Sequence, residues 1–326
     1  MIRKKKTAAS AKRLELILPA TSANLGPAFD AAALAFELYL RVGAAPALDF
    51  SVRATGRDQA ICGNAENHLI ITTYCEVLRA AGKPVLPLTL AIKNEMPIGK
   101  GCGSSAAARL AGIAMAVHFG DLAWSDSQII GEAARREHHP DNAAACWVGG
   151  LAVARMSAEA EAQVVKVKPR GEWPLLFAVP NESLSTEEAR RVLPMQYSRP
   201  DAVANVQSAM LLLMAFVEQR YDLLATALQD RIHQPYRSRL CPLLPALQEM
   251  TGKQGVLGVA LSGAGPSVLV FLDPGVPVKT SRPAILAHLA NRGLSAELIS
   301  TSIAEVGAAG QRGWRKAHAG SRRRVR

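Results

Sequence analysis

Between Leu88 and Val117 the chain passes from alternating apolar residues, through three alternating glycines, into an alanine-rich apolar run. Leu88-Thr-Leu-Ala-Ile-Lys93 has the period of a strand. Leu110, Ile113, Ala114 and Val117 recur at helical spacing, which predicts a helix from about Ser105 to about His118 with Ser104 as its N-cap. Gly99, Gly101 and Gly103 lie between the two. No other stretch constrains the fold so strongly. Glycine permits positive φ and lets backbone N–H groups approach a ligand unobstructed. A helix start leaves about four unpaired N–H groups and a partial positive charge. Together they form an anion site suited to a polyphosphate. Lys100 adds a point charge. By spacing alone, a loop that only turns a corner fits as well.

Two familiar phosphate loops are excluded. A Walker loop needs Gly, four residues and Gly-Lys-Ser/Thr, whereas here Lys100 sits among the glycines. The dinucleotide fingerprint needs a different third glycine spacing.

At 326 residues and 49% apolar content the chain is long enough for two domains with their own cores. Its longest uncharged apolar run, Ala209–Val217, stops at Glu218, short of the ~18 residues of a membrane helix. The basic N-terminus has no hydrophobic segment of a secretory signal. Cys62, Cys75, Cys102, Cys146 and Cys241 form no Cys-x-x-Cys pair, which suits a reducing cytoplasm. Glu132, His138 and His139 lack His-Glu-x-x-His spacing, so zinc chemistry is not expected. The net charge of +11 belongs to the ends. Six basic residues fall in 1–13 and seven in 312–326, with no acid in either, so the body between is slightly acidic. These tails read as solvated and disordered, with no specific nucleic-acid partner.

The loop reads Pro97, Ile98, Gly99, Lys100, Gly101, Cys102, Gly103, Ser104, Ser105, Ala106, Ala107. This Pro-x-Gly-x-Gly-x-Gly-Ser-Ser-Ala pattern resembles the phosphate loop of the GHMP small-molecule kinases, and the resemblance implies that these eleven residues bind ATP. Further motifs narrow it to homoserine kinases. Pro19–Asp30 carries Ser22, Asn24, Gly26, Phe29 and Asp30 in family order, with Ala28 where glycine is usual. Glu137–Gly150 carries His139, Pro140, Asp141, Asn142, Gly149 and Gly150, with His138 replacing glycine. Ser185-Thr186 precedes Ala189-Arg190 and Leu193-Pro194, and His233-Gln-Pro-Tyr-Arg237 follows. Ser262-Gly263-Ala-Gly-Pro266 is the last of the set. Together the resemblance covers roughly residues 14–306.

The resemblance implies ATP-dependent phosphorylation of L-homoserine to O-phospho-L-homoserine on the way to threonine. Asn24, Asp30, His139, Asn142, Thr186, Arg190, Arg237 and Gly263 would hold the amino acid. A carboxylate suits its ammonium and a guanidinium suits its carboxylate. Mg²⁺ would take oxygens from Ser104 or Ser105 and from Glu137, with Glu132 as the rival carboxylate. Asp141, Arg237 and Glu137 are the catalytic candidates. Asp141 could act as a base, but transfer of the proton to phosphate is equally open. A kinase for another alcohol such as mevalonate is the alternative. A non-catalytic protein binding RNA or an acidic partner through its tails is the outlying one. Family members often form homodimers, although no interface signal stands out.

The implied fold is α+β in two domains, an N-terminal GHMP kinase domain with a left-handed βαβ unit and a ferredoxin-like C-terminal domain. The expected division is a basic disordered tail at 1–13, an ATP-binding domain at 14–165, a second domain at 166–308 and a basic tail at 309–326. Expected elements include strands at 14–18, 49–53, 173–179, 255–261, 268–272 and 296–300. Helices are expected at 67–81, 127–136, 201–218, 221–232 and 282–292, with a short one capped by Ser185 or Thr186.

Overall fold

The computed structural model describes residues 12–157 and 161–318. Two mixed layers result, each a sheet backed by helices. The first sheet comprises β1 (Leu14–Asn24), β2 (Ala28–Pro46), β3 (Ser51–Gly56), β4 (Leu88–Asn94), β5 (Leu151–Met156) and β6 (Ala162–Val167). Its order is β3-β4-β2-β5-β6, with β1 paired to β2. β3 and β4 run parallel and are joined through helices Gln59–Gly63 and Leu69–Ala80, the expected βαβ unit. β4 alternates strictly, with Leu88, Leu90, Ile92 and Asn94 buried. Helices Ser104–Phe119 and Asp141–Val148 pack on β1 and β2. Alanine and glycine dominate the first because its neighbours come close: a Cβ on Gly112 would lie 2.6 Å from the Ile70 carbonyl oxygen.

The second sheet comprises β7 (Leu175–Val179), β8 (Val256–Leu261), β9 (Val268–Leu272) and β10 (Glu297–Thr301), in the order β10-β7-β9-β8. Every pairing is antiparallel, as in a ferredoxin-like split βαβ arrangement. Helices Leu243–Gln248 and Val278–Ala290 contribute Leu244, Leu247, Ile285 and Leu289 to its core. Phe36 and Phe177, with ring centroids 5.1 Å apart, join the two layers.

Several expectations need correction. The helix starts at Ser104 with Gly103 as N-cap at φ +70°, so Ser104 does not cap. Helix 221–232 is reduced to a 3-10 turn at Tyr221–Leu223 and one turn at Leu224–Ala227. Beyond it, Asp230 accepts from the backbone N–H groups of Ile232, His233 and Gln234 and turns the chain instead. The division at 165 falls inside β6, and the chain after β10 returns to the first layer through a bridge between Phe36 and Ile303. Arg312–His318, placed in a disordered tail by its basic composition, forms a short helix whose Trp314 packs 5.0 Å from Trp147. The remaining tail residues, 1–11 and 319–326, lie outside the described residues. One helix, Arg199–Val217, is long and apolar enough in composition to cross a membrane, which the uncharged-run count missed. It buries Leu212, Ala215 and Phe216 within the protein.

Candidate active site

The β1–β2 turn places the first polar groups. Asn24 and Asp30 both adopt positive φ, +71° and +53°. Asn24 uses its amide twice, accepting from the Asp30 N–H at 2.9 Å and donating to the Gly263 carbonyl at 3.0 Å. It therefore shapes the turn and ties it to the second domain, in addition to lining the cavity. Asp30 accepts two hydrogen bonds from Arg190 Nη2, at 2.8 and 3.0 Å.

The glycine loop closes against both domains. A Cβ on Gly103 would lie 2.0 Å from Thr21 Oγ1, and one on Gly101 would lie 2.3 Å from the Ser262 carbonyl oxygen. Ser262 Oγ donates to the Gly101 carbonyl at 2.6 Å. Gly99 is open, with nothing within 4 Å of an added Cβ. Gly99, Gly101, Gly103, Ser104, Ser105 and Ala106 face a cavity of about 120 Å³. Pro97, Lys100, Cys102 and Ala107 are not on its wall. Cys102 is fully buried and its thiol donates to the Pro97 carbonyl; burial pushes that thiol up to about 12. Lys100 donates instead to the carbonyls of Asn181 and Glu182, each at 2.6 Å.

Opposite the loop lie Thr186 and Arg190 from helix Thr186–Arg191, Arg237, and Gly263. Arg237 is 1% exposed. Its Nε donates to the Ala189 carbonyl and its Nη1 to the Gly263 carbonyl, at 2.9 and 3.1 Å. Among the described residues no carboxylate lies within 4.0 Å of it, and burial, with Arg190 nearby, lowers its pKa to about 10. The Phe29 ring sits 5.5 Å from the Arg190 guanidinium and 5.4 Å from that of Arg237. Phe29, matched in the sequence motif but given no role, props both guanidinium groups.

Asp141 and Asn142 open the helix that follows Pro140. Asp141 Oδ1 accepts from His139 Nδ1 and from the Asn142 N–H, both at 2.6 Å, whereas the buried Oδ2 has no partner among the described residues. Burial opposes charge on His139, yet the Asp141 bond prevails and its pKa is raised. Thr21 Oγ1 donates to Asn142 Oδ1 at 2.7 Å.

Two groups of oxygen donors can be tested for a cation. Glu137 Oε1 accepts from Ser105 Oγ at 2.7 Å and from Arg109 Nε at 2.5 Å, with Ser104 beside them on the same wall. Hydroxyls and a carboxylate suit a hard cation such as Mg²⁺. Glu132 does not: it pairs with Arg135 and Arg136 and is not on the cavity wall. Asp30, His139 and Asp141 also converge, with ligand atoms within 4.8 Å. There Arg190 occupies both Asp30 oxygens and Arg237 adds a second positive charge, so a cation is disfavoured.

A second, more apolar cavity of about 640 Å³ continues from Gly99, Ser104 and Ser105. Ile61, Cys62, His68, Leu69, Met96 and Ile98 contribute to it. Apart from Ile98 and the shared Gly99, Ser104 and Ser105, sequence reasoning missed its wall, which is assembled from Leu40 and from segments 60–70, 92–99 and 104–108.

The N-terminal family profile, described as GHMP kinases N terminal domain, matches residues 68–150, and the profile described as GHMP kinases C terminal matches residues 212–284. A homoserine kinase of Solibacter usitatus is 42% identical over 82% of this chain and 88% of its own length. The chain belongs to the homoserine kinases. The homoserine kinase of a Synechococcus strain is 35% identical over 90% of this chain and 97% of its own. The crystal structure of a homoserine kinase from Cytophaga hutchinsonii superposes with a TM-score of 0.76 at 23% identity, covering 93% of this chain and 99% of that one, and shares the fold. A member of this kinase family thus places its glycine loop, the guanidinium groups of Arg190 and Arg237, and the carboxylates of Asp30, Glu137 and Asp141 around one cavity.

Proposed function

We propose that the chain transfers the γ-phosphoryl group of ATP to the hydroxyl of L-homoserine, forming O-phospho-L-homoserine and ADP for threonine synthesis in the cytoplasm. The observation that carries this reading is the pairing of opposite charges facing one cavity. Asp30 offers an anion to an ammonium group, while Arg190 and the unpaired Arg237 offer cations to a carboxylate. An amino acid that is also an alcohol matches both.

ATP would lay its base and ribose in the larger apolar cavity and its phosphates across Gly99–Ser105. The amides at the head of helix Ser104–Phe119 then face the β- and γ-phosphates. Mg²⁺, held by Ser104 or Ser105 and by Glu137, supplies charge neutralisation on the phosphates when bound. Residues of the chain do the aligning. Arg190 and Arg237 fix the carboxylate, Asp30 fixes the ammonium, and His139 with Asn142 borders the path of the hydroxyl. The substrate oxygen forms a bond to phosphorus as the bridging bond to ADP breaks. Asp141, buried and committed through Oδ1 to His139 and to a backbone N–H, positions that histidine; the hydroxyl proton passes to a phosphate oxygen.

Mevalonate carries a carboxylate but no ammonium, so Asp30 would be left unmatched. Coupled ADP release with homoserine, with mevalonate and with no acceptor separates the readings. Turnover confined to homoserine is expected; equal or faster turnover of mevalonate would replace it, and none with either alcohol would remove the enzyme reading.

A further inference from the structure

The lysine inside the glycine loop does not face the cavity. Gly99 and Gly101, both at positive φ (+71° and +79°), flank Lys100, and its side chain leaves the loop toward the second domain. There one ammonium group donates to two successive carbonyls, Asn181 and Glu182, at 2.6 Å each. These carbonyls belong to the connection from β7 to helix Thr186–Arg191. Among the described residues, the backbone of 181–184 makes no hydrogen bond to other backbone groups. Its other anchors are Leu184, packed against the second core, and Ser185, whose hydroxyl accepts from the Glu188 N–H at 3.1 Å to cap the helix. The helix so started carries Thr186 and Arg190 on the wall of the amino-acid cavity.

We propose that Lys100 is a positioning residue for the amino-acid substrate: it pins the 181–185 connection to the glycine loop and thereby sets the position of Thr186 and Arg190. Two carbonyl dipoles aimed at one ammonium hold it away from the cavity, into which a phosphate ligand would otherwise draw it. The anion site then rests on backbone amides alone, and the lysine charge is spent across the cleft. Loop and connection move as one body, so nucleotide binding and amino-acid binding share a structural element. An ammonium group on a flexible stem and a guanidinium can both serve two carbonyls, so Lys100→Arg preserves the tie whereas Lys100→Met removes it while keeping the apolar stem.

The kinetic arm of the test rests on the homoserine kinase reading; the exchange arm does not. In Lys100→Met, the KM for homoserine should rise at least fivefold, the KM for ATP should stay within about twofold, and Lys100→Arg should restore homoserine KM to within about twofold. Without ligands, amide hydrogen exchange at Glu188 and Ala189, whose N–H groups bond to Ser185 at the end of the connection, should quicken in Lys100→Met and remain at the wild-type rate in the other helices. A larger rise in ATP KM than in homoserine KM would make Lys100 a phosphate ligand and overturn the proposal, as would unchanged exchange at Glu188 and Ala189. Should the wild-type chain fail to phosphorylate homoserine, the kinase reading falls, and the exchange comparison alone decides the role of Lys100.

Discussion

Arg190 Nη2 lies 2.8 and 3.0 Å from the two carboxylate oxygens of Asp30, a residue 160 positions away in sequence. Each side chain is about one-third exposed, at 36% and 30%. A pair so placed is worth only about 0–1 kcal/mol to the fold. It is therefore cheap to open for a zwitterion whose two charges replace the two that face each other. Arg190→Ala should raise the KM for homoserine more than tenfold, a loss of at least ~1.4 kcal/mol of binding. Its melting temperature should stay close to that of the wild type. Steady-state kinetics beside a thermal melt checks both; an unchanged KM would remove Arg190 from the substrate clamp.

Glu137 sits where oxygen donors from two helices meet, bonded to Ser105 and to Arg109. Its charge holds Arg109 in place and makes the serine hydroxyls the natural neighbours of a cation. Glu137→Gln keeps shape and removes that charge. We expect kcat to drop by about 10²-fold or more, in line with loss of an electrostatic contribution to phosphoryl transfer. The Mg²⁺ concentration giving half-maximal rate should rise as well. Titration of Mg²⁺ at saturating ATP and homoserine measures this. If Glu132→Gln gave those effects and Glu137→Gln did not, the carboxylate would have been misassigned.

The glycine loop and its flanking elements were legible because each signal is local: alternation at 88–94, glycines, then helical spacing. The polar site was legible where a motif names a residue, as for Asp30, Asn142, Arg190 and Arg237. What joins these residues was not. The Asp30–Arg190 pair and the Lys100 tie are contacts between segments far apart in sequence, which no periodicity encodes. Helix Asp141–Val148 escaped because it is eight residues long and follows a proline, so it read only as a motif. Strands β5 and β6 were not read from the sequence, and the expected division at 165 cut through β6. Helix Arg312–His318 was hidden by arginines and lysine, although Trp314, 4% exposed, is what anchors it. The helix expected at 221–232 stops at Ala227 because the amides beyond it bond elsewhere: Gln229 N–H to the Thr226 carbonyl, Arg231 N–H to Asn205 Oδ1, and those of Ile232, His233 and Gln234 to Asp230.

Gly99 and Gly103 have almost the same φ, +71° and +70°, but different surroundings. An alanine at either takes on left-handed backbone strain of about 1–3 kcal/mol. Only at Gly103 does the new Cβ also meet a neighbour, Thr21 Oγ1 at 2.0 Å, and so disturb the bond from that hydroxyl to Asn142. Melting temperatures should therefore fall in the order wild type, Gly99→Ala, Gly103→Ala. Gly103→Ala should also raise homoserine KM through Asn142, whereas Gly99→Ala should act on ATP KM. Thermal melts with both KM values check this; equal damage from the two variants would mean the loop is strained as a unit rather than fitted to Thr21.

Stability toward acid depends on histidines buried in neutral form. His118 is 5% exposed, and burial first, then Lys12 and His318, lower its pKa to about 4 from 6.5. His233 is fully buried, and burial likewise lowers it to about 4. A base whose folded pKa is depressed adds stability above the unfolded value, and that stability is lost as pH falls toward the folded one. The window is therefore pH 6.5 down to about 4, and His118 alone is worth on the order of 2–3 kcal/mol across it. His139 acts in the opposite sense: its raised pKa adds stability below 6.5 that is lost as pH climbs through the higher folded value. His68, half-buried, is also lowered by burial, and three depressed histidines outweigh one raised one, so the melting temperature should decline steeply between pH 6.5 and 4. His118→Gln, which cannot take up a proton there, should flatten that decline, because Gln fills a similar volume without a charge to bury. Melts of both proteins across pH 4–8 measure it, and an identical slope in the variant would show that His118 stays solvated enough to ionise in place.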